Sequence, residues 1–105
     1  MAAVPVTPVP GLVYEVTTGG TAVIAVPSGP NGGYITNPFS AADQGIAPAS
    51  AEWLYCDPVA PAILGAYGTT TGLAPGATYD LVPGQTTPTY VNAATAGHRF
   101  TVVWF

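Results

Sequence analysis

The sequence predicts a small all-β fold, either a β-sandwich or a partly open barrel of about six to eight short antiparallel strands with at most one short helical turn. Three observations indicate this class. Apolar and polar residues alternate with a period of two in several short runs. The 13 glycines and 12 prolines among 105 residues punctuate these runs as turns. Helical periodicity is nearly absent, while 49% of the residues are apolar, which is enough for one packed core.

The chain divides into an N-terminal arm, residues 1–11, and a single β domain, residues 12–105. Prolines at positions 5, 8 and 10 favour an extended, polyproline-like arm. Such a segment is either a frayed terminus or an arm that docks on a neighbouring subunit. The apolar Val4, Val6 and Val9, with no charge nearby, favour docking. We expect deletion of residues 1–10 to weaken attachment to a partner and to leave the fold intact.

The first strands are predicted from alternation and turn residues. Residues 12–17 place Leu12, Tyr14 and Val16 on one face. Two glycines, Gly19 and Gly20, separate this run from a second β-prone run, residues 21–26. Glycine accepts the positive φ of primed turns, so this pattern predicts a tight hairpin. Residues 28–33 then consist of turn-forming types.

Two later strands end in the same way, with a short polar residue followed by proline. Residues 34–36 run into Asn37-Pro38, and residues 53–56 run into Asp57-Pro58. Between them lies the one helical turn that the sequence predicts. Ser40 is its N-cap, and Gly45 ends it.

The C-terminal part reads as further short strands. Pro75-Gly76 and Pro83-Gly84 match the central residues of type II turns. Strands are predicted over residues 77–82, 87–92 and 99–105. In the last of these, Phe100, Val102 and Trp104 form an apolar face, which predicts that this strand belongs to the core.

Composition excludes several functions. One arginine, no lysine and a net charge of −4 argue against nucleic-acid binding, which needs clustered cations. A single cysteine, Cys56, excludes an intramolecular disulfide framework. Neither a signal peptide nor a membrane span is predicted, so we expect synthesis in the cytoplasm. The mean hydropathy of +0.40 with few charges indicates a surface partly covered by a partner.

Catalytic and metal-binding patterns are also missing from the sequence. The sequence contains one histidine, His98, and no nucleophile-elbow motif. We expect His98 to be a loop residue with local hydrogen bonds. Absence of lysine excludes Schiff-base and P-loop chemistry. No metal-ligand spacing occurs. Glu52 and Asp57 are expected to be solvated strand ends or turn caps. We therefore expect no enzyme activity, no cofactor and no metal.

Aromatic residues are the one abundant resource for binding. Core packing is the expected role of Phe100, Tyr79 and Trp104. Trp53 and Tyr55 instead share one face of their strand, opposite Leu54 and Cys56. Because one of these faces must point away from the core, Trp53 and Tyr55 are candidates for a surface contact with a partner or a sugar.

Turn and strand-end motifs follow one another through the last two-thirds of the chain, at residues 32–38, 41–45, 51–58, 73–76, 81–88, 91–94 and 97–101. None of them is a catalytic signature. In these motifs the chain resembles small virion proteins encoded among the head genes of tailed bacteriophages. The resemblance implies a β-rich, non-enzymatic protein that decorates or cements the outside of the capsid, or forms the base of a head fibre.

The function expected from the sequence is that of a capsid decoration or cement protein on the outer capsid surface of the virion. Its partners would be the major capsid protein and further copies of itself, with a trimer favoured and neither nucleic acid nor membrane involved. The candidate interface consists of Val4, Val6, Val9, Pro30, Asn31, Trp53 and Tyr55. The alternative is a carbohydrate-binding or adhesin-like module of a phage fibre or tail that uses Trp53, Tyr55 and Tyr67. Cement protein, fibre base and tail component all stay open.

Overall fold

The computed structural model describes residues 12–16, 19–20, 23–24, 31–66, 68–84 and 89–104, with only the backbone described for residues 12–14, 23–24 and 104. Eight strands and one short helix lie within these residues. The first half contains β1 (Leu12–Val16), β2 (Val23–Ile24), β3 (Gly33–Thr36), α1 (Ala41–Gln44) and β4 (Leu54–Asp57). The second half contains β5 (Thr71–Leu73), β6 (Thr78–Leu81), β7 (Tyr90–Asn92) and β8 (His98–Trp104).

The strands form two four-stranded antiparallel sheets. Sheet A has the order β1-β8-β3-β6, and sheet B has the order β2-β7-β4-β5. The chain therefore passes repeatedly from one sheet to the other, and β4 and β5 are the only consecutive strands in these orders that pair with each other. This is the strand order of the eight-stranded jelly roll, in which two Greek keys build a sandwich.

The core lies between the two sheets, so the fold is the sandwich rather than the barrel. Both sheets contribute buried side chains to one cluster. Those from sheet A are Val16, Ile35, Leu81, Phe100 and Val102, and those from sheet B or its strand ends are Leu54, Cys56, Leu73, Val91 and Ala93. Alternation places the exposed Glu15 beside the buried Val16, as the sequence predicts.

The predicted ends of α1 are confirmed, and the glycines of the two predicted Pro-Gly turns have suitable backbone angles. The Ser40 side chain accepts a hydrogen bond from the Asp43 backbone N–H, and Gly45 ends α1 in the left-handed region at φ 74°. Gly76 and Gly84 also have positive φ, at 86° and 69°. These values fit the third position of a type II turn.

The predicted hairpin at Gly19 and Gly20 is wrong. β1 pairs with β8, and β2 pairs with β7 in the other sheet. The two glycines instead lie where the chain crosses between sheets, and the Gly20 N–H donates to the Ala93 carbonyl at 2.7 Å. The strand β5 was not predicted, because Thr-Gly-Leu is too short and too poor in apolar residues to signal a strand.

Several expectations concern residues outside the described ranges. These are the arm, residues 1–11, with Val4, Val6 and Val9, and the positions Pro30 and Tyr67. Within the described part of the chain, no helix has the length and apolar character needed to span a membrane.

Candidate functional site

Polar side chains close one end of the sandwich core. Asn37 continues the core-facing row of β3 after Ile35, and His98 precedes Phe100 in the core-facing row of β8. Gln44 comes from α1, and Glu52 from the segment that enters β4. Asn37, Gln44 and His98 are fully buried, and the Glu52 side chain is 28% exposed. We call these four residues the polar cluster.

Asn37 fastens the two sheets to each other. Its Nδ2 donates to the carbonyl oxygens of Glu52 at 2.9 Å and Leu73 at 3.0 Å, both on the sheet B side. Its backbone N–H donates to the Ala77 carbonyl, and its carbonyl accepts from the Gly76 N–H. Asn37 therefore joins the end of β3 to the segment before β4 and to the β5–β6 turn.

Gln44 holds the segment that leads into β4. Its Oε1 accepts from the Glu52 N–H at 2.8 Å, while its Nε2 donates to the Pro38 carbonyl at 2.8 Å and the Glu52 carbonyl at 3.0 Å. The Nε2 also lies 3.1 Å from Asn37 Oδ1. This is the reason for the buried polar residue in α1: its amide replaces the ladder bonds that Glu52 lacks before the strand begins.

His98 is the first residue of β8 rather than a loop residue, and only its backbone N–H bonds locally, to the Thr95 carbonyl at 3.3 Å, while its side chain does not. Its Nε2 lies 2.8 Å from Asn37 Oδ1, a residue 61 positions away, and its Nδ1 lies 4.0 Å from Glu52 Oε1. Burial lowers the pKa of His98, and the Glu52 carboxylate offsets part of that effect. The ring is wholly buried, so a substrate cannot reach it in this conformation.

Asp57 anchors the long β4–β5 connection. Its Oδ1 accepts from the backbone N–H groups of Val59 and Ala60 at 2.8 and 3.0 Å. Its Oδ2 accepts from the hydroxyls of Thr69 and Thr70 at 2.6 and 2.8 Å. Burial raises the pKa of Asp57, but these four hydrogen bonds outweigh it and hold the pKa below its usual value. The expected turn cap is confirmed. The expected solvation is wrong, since Asp57 is buried.

Glu52 was also expected to be a solvated strand end or turn cap, and that expectation is wrong. Its backbone is bonded to Gln44 in both directions. Its carboxylate accepts from the Thr95 hydroxyl at 2.7 Å and faces the buried ring of His98. The residue is therefore part of the closed end of the sandwich.

The β4–β5 loop, residues 58–70 apart from residue 67, folds back over the outer face of sheet B. The Asn92 side chain donates to the Ala62 carbonyl at 2.9 Å and also reaches the Gly20 carbonyl. Ala66 lies against Gly72 of β5, where a Cβ would come within 3.2 Å of the Ala66 methyl group. The loop is thus held at Asp57, in its middle and near its end.

The outward side of the β4–β5 loop is apolar. Val59 is 70% exposed, and Ile63 and Leu64 are also exposed. Trp53 borders the loop, because its ring lies against Gly72 beside Ala66. No charged residue occurs from position 58 to position 79. A surface of this kind is typical of a protein–protein contact.

The residues predicted for an interface are only partly brought together. Leu54 and Cys56 are buried, so the predicted outward face of Trp53 and Tyr55 is confirmed, with Trp53 48% exposed and Tyr55 half-buried. Asn31 is exposed but lies beyond the opposite end of β3 from Asn37. It is therefore separate from Trp53, which directly follows Glu52 of the polar cluster.

The remaining candidate features are a buried thiol and an open groove on the surface. Burial raises the pKa of the Cys56 thiol to about 12, which keeps it protonated and unreactive. An open groove on the outer face of sheet A is lined by Thr36, Pro38, Asp43, Arg99 and Thr101. Among the described residues, no group of three or more His, Cys, Asp or Glu side chains could hold a metal ion.

Comparison with protein-family models, with curated proteins and with solved structures found no match for this chain. The roles of the polar cluster and the β4–β5 loop are therefore inferred from their geometry alone.

The sequence signals missed the residues that now stand out. In the sequence, Asn37 is recognisable only as a strand end, because its side-chain partners Glu52, Leu73 and His98 lie 15, 36 and 61 positions away. Gln44 is recognisable only as part of a helical turn, although its partners lie 6 to 8 positions away. The loop had a visible signal: the run Val59, Ala60, Pro61, Ala62, Ile63 and Leu64 is apolar, uncharged and placed directly after a strand that ends at proline.

Proposed function

We propose that this chain is a structural protein of a tailed-phage virion, bound to the outer capsid surface as a decoration or cement protein. The observation that carries the proposal is the apolar, uncharged outer side of the β4–β5 loop. Val59, Ile63 and Leu64 face solvent there. Burial of such side chains by a partner stabilises a complex through the hydrophobic effect.

The hydrogen bonds that anchor the loop support a role for it in binding. Four hydrogen bonds to Asp57 and the bond from Asn92 hold the loop before any partner arrives. A preorganised surface loses less conformational entropy on association. The loop therefore suits a long-lived contact with a rigid partner such as the major capsid protein.

Fold and sequence agree with this role. Jelly rolls recur in viral capsid proteins and in lectins, so the fold is compatible with the proposal but does not decide it. The resemblance of the turn and strand-end motifs to those of tailed-phage virion proteins favours the capsid as the partner. Symmetric self-association, with a trimer favoured, would multiply a weak contact made by each copy.

The test is binding to capsids of the encoding phage that were assembled without this protein. Purified chain is mixed with these capsids and measured by co-sedimentation. We expect saturable binding that changes little with salt, because the contact is apolar. Val59→Gln in the loop should raise the Kd about tenfold.

The matched control is Val82→Gln, which changes another apolar residue that is 59% exposed and lies after β6, outside the loop. Its affinity should equal that of the unmodified chain. Absence of saturable binding would overturn the proposed function. Equal losses from both variants would reject the loop as the interface.

A carbohydrate-binding role is a second candidate, favoured by the outward pair Trp53 and Tyr55. One side of the Trp53 ring lies on Gly72, and the side chain is 48% exposed. An aromatic ring supported in this way can stack on a sugar. Saturable quenching of tryptophan fluorescence by a glycan panel, lost in Trp53→Ala, would favour this role. No response across the panel would reject it.

A further inference from the structure

The hydrogen-bond pattern fixes the orientation of the Asn37 amide. Nδ2 faces two backbone carbonyls, of Glu52 and Leu73, and a carbonyl can only accept. Oδ1 therefore faces His98 Nε2 at 2.8 Å, and this ring nitrogen must be the donor. Neutral His98 consequently carries its proton on Nε2 and a lone pair on Nδ1.

The Nδ1 lone pair of neutral His98 is an acceptor, and it faces another acceptor, the carboxylate of Glu52. Nδ1 lies 4.0 Å from Glu52 Oε1, and neither buried atom has a hydrogen-bond partner among the described residues. The other carboxylate oxygen, Oε2, already accepts from the Thr95 hydroxyl at 2.7 Å. Two acceptors facing each other in a buried site repel, and one proton between them would turn the repulsion into an N–H···O bond.

The remaining charges near this site do not face the ring. Arg99 follows His98 on β8, but its side chain lies against Gly45 and, with Asp43 of α1, lines the groove on the outer face of sheet A. Glu15 of β1 is exposed and stands opposite Arg99 in the strand register. Glu52 is thus the charged group that acts on His98.

We propose that His98 and Glu52 form a proton-operated latch between the two sheets. Uptake of a proton on Nδ1 requires Glu52 to move about 1 Å toward β8, because an N–H···O bond is close to 2.9 Å long. Proton uptake is therefore coupled to a shift of the segment that enters β4. This pair lies inside the sandwich, so its behaviour is independent of the capsid binding proposed above.

The sign of the pH effect follows from burial. The folded-state pKa of His98 is lowered from 6.5, so the unfolded chain binds more protons in mild acid. Stability is therefore fully present above about pH 6.5 and falls as the pH decreases below that value. The latch is therefore open above about pH 6.5, where the neutral Nδ1 and Glu52 Oε1 face each other without a bond, and it closes in acid, where burial of the charged ring lowers the stability of the fold.

The decisive variant is Glu52→Gln. Its amide oxygen can accept from Thr95, and its amide nitrogen can donate to the neutral Nδ1, so the facing acceptors are replaced by a hydrogen bond. We expect the melting temperature at pH 8 to rise by about 4 °C. The pKa of His98 should fall further, and the loss of stability in acid should become steeper. Glu15→Gln, which changes an exposed glutamate on β1, is the control. It should change none of the three: the melting temperature, the pKa of His98 and the loss of stability in acid.

Nitrogen NMR of the unmodified chain gives an independent test that needs no variant to fold. His98 is the only histidine, so its ring signals are unambiguous. We expect protonated Nε2 and unprotonated Nδ1 at pH 8, and amide shifts of Glu52 and Thr95 that follow the titration of the ring. A proton on Nδ1 at pH 8, or a lower melting temperature in a folded Glu52→Gln variant, would overturn the proposal.

Discussion

Asn37 shows how one side chain can decide whether two sheets stay together. Its amide supplies two donors to sheet B carbonyls and one acceptor to His98, and no water is needed to complete the set. Asn37, Leu73 and His98 are buried, and in such surroundings a donor or acceptor without a partner costs about 1–3 kcal/mol. The residue therefore contributes more to the fold than its position at a strand end implies.

Replacing Asn37 with aspartate tests this role with almost no change in shape. The new carboxylate faces two backbone carbonyls that have lost their donor. We expect the free energy of unfolding to fall by at least about 2 kcal/mol, measured by urea denaturation. Asn31→Asp, at an exposed position, is the control and should cost less than about 0.5 kcal/mol. Equal losses in the two variants would contradict the inter-sheet role of Asn37.

Asp57 provides a second residue-scale prediction. Because its pKa is held below the usual value of 3.8, its contribution to stability is present above that pH and is lost as the pH falls through the folded-state pKa. Asp57→Asn should lower stability at pH 7 by about 2 kcal/mol. Hydrogen exchange at the Val59 and Ala60 amides should become faster.

The matched control for Asp57→Asn is Asp80→Asn, at an exposed position on β6. It should leave both stability and exchange unchanged. If Asp57→Asn left the exchange of the loop amides unaltered, Asp57 would not be the anchor of the β4–β5 loop.

At the residue scale, local chemistry was predictable and remote chemistry was not. Ser40 and Gly45 bracket α1 as expected, since a cap depends on neighbours within four positions. The bond between Asn37 and His98 spans 61 positions, and nothing in either local sequence signals it. The same holds for the burial of Asp57, which depends on hydroxyls 12 and 13 positions away.

At the scale of elements, the connection between β1 and β2 distinguishes a sheet crossing from a hairpin. A Cβ on Gly19 would lie 2.3 Å from the Ala94 carbonyl oxygen, which belongs to the backbone and cannot easily move. Gly20 has φ 79°, but among the described residues a Cβ there would meet only Leu64 Cδ1, at 3.8 Å.

We expect Gly19→Ala to cost about 3 kcal/mol of stability and Gly20→Ala about 1 kcal/mol. Chemical denaturation of the two single variants measures the difference. A hairpin would reverse the order, because the positive φ at its turn would be the main constraint. A greater loss in Gly20→Ala would therefore contradict the crossing.

Strands could be predicted from the sequence where the alternation of apolar and polar residues was strong. The pairing of the strands could not be predicted. The exposed Glu15 beside the buried Val16 in β1, and the buried Phe100 and Val102 in β8, follow the period of two. β1 nevertheless pairs with β8 across almost the whole chain. Partner choice depends on how all eight strands pack, and a single run of residues does not contain that information.

At the scale of the whole molecule, the scarcity of charged side chains favours self-association. Native mass spectrometry over a range of concentrations should give one discrete closed oligomer, with a trimer expected. The mass should change little between low and moderate salt, since few ion pairs are available to screen. A monomer at every concentration would contradict the homo-oligomeric part of the proposal.

The most direct test of the proposed capsid role is the protein composition of purified virions of the phage that is proposed to encode this chain. Intact-protein mass spectrometry suits this chain, because Arg99 is its only tryptic site. A virion structural protein should be present at a fixed ratio to the major capsid protein in every preparation. Absence from purified virions, despite synthesis in infected cells, would contradict the proposed function.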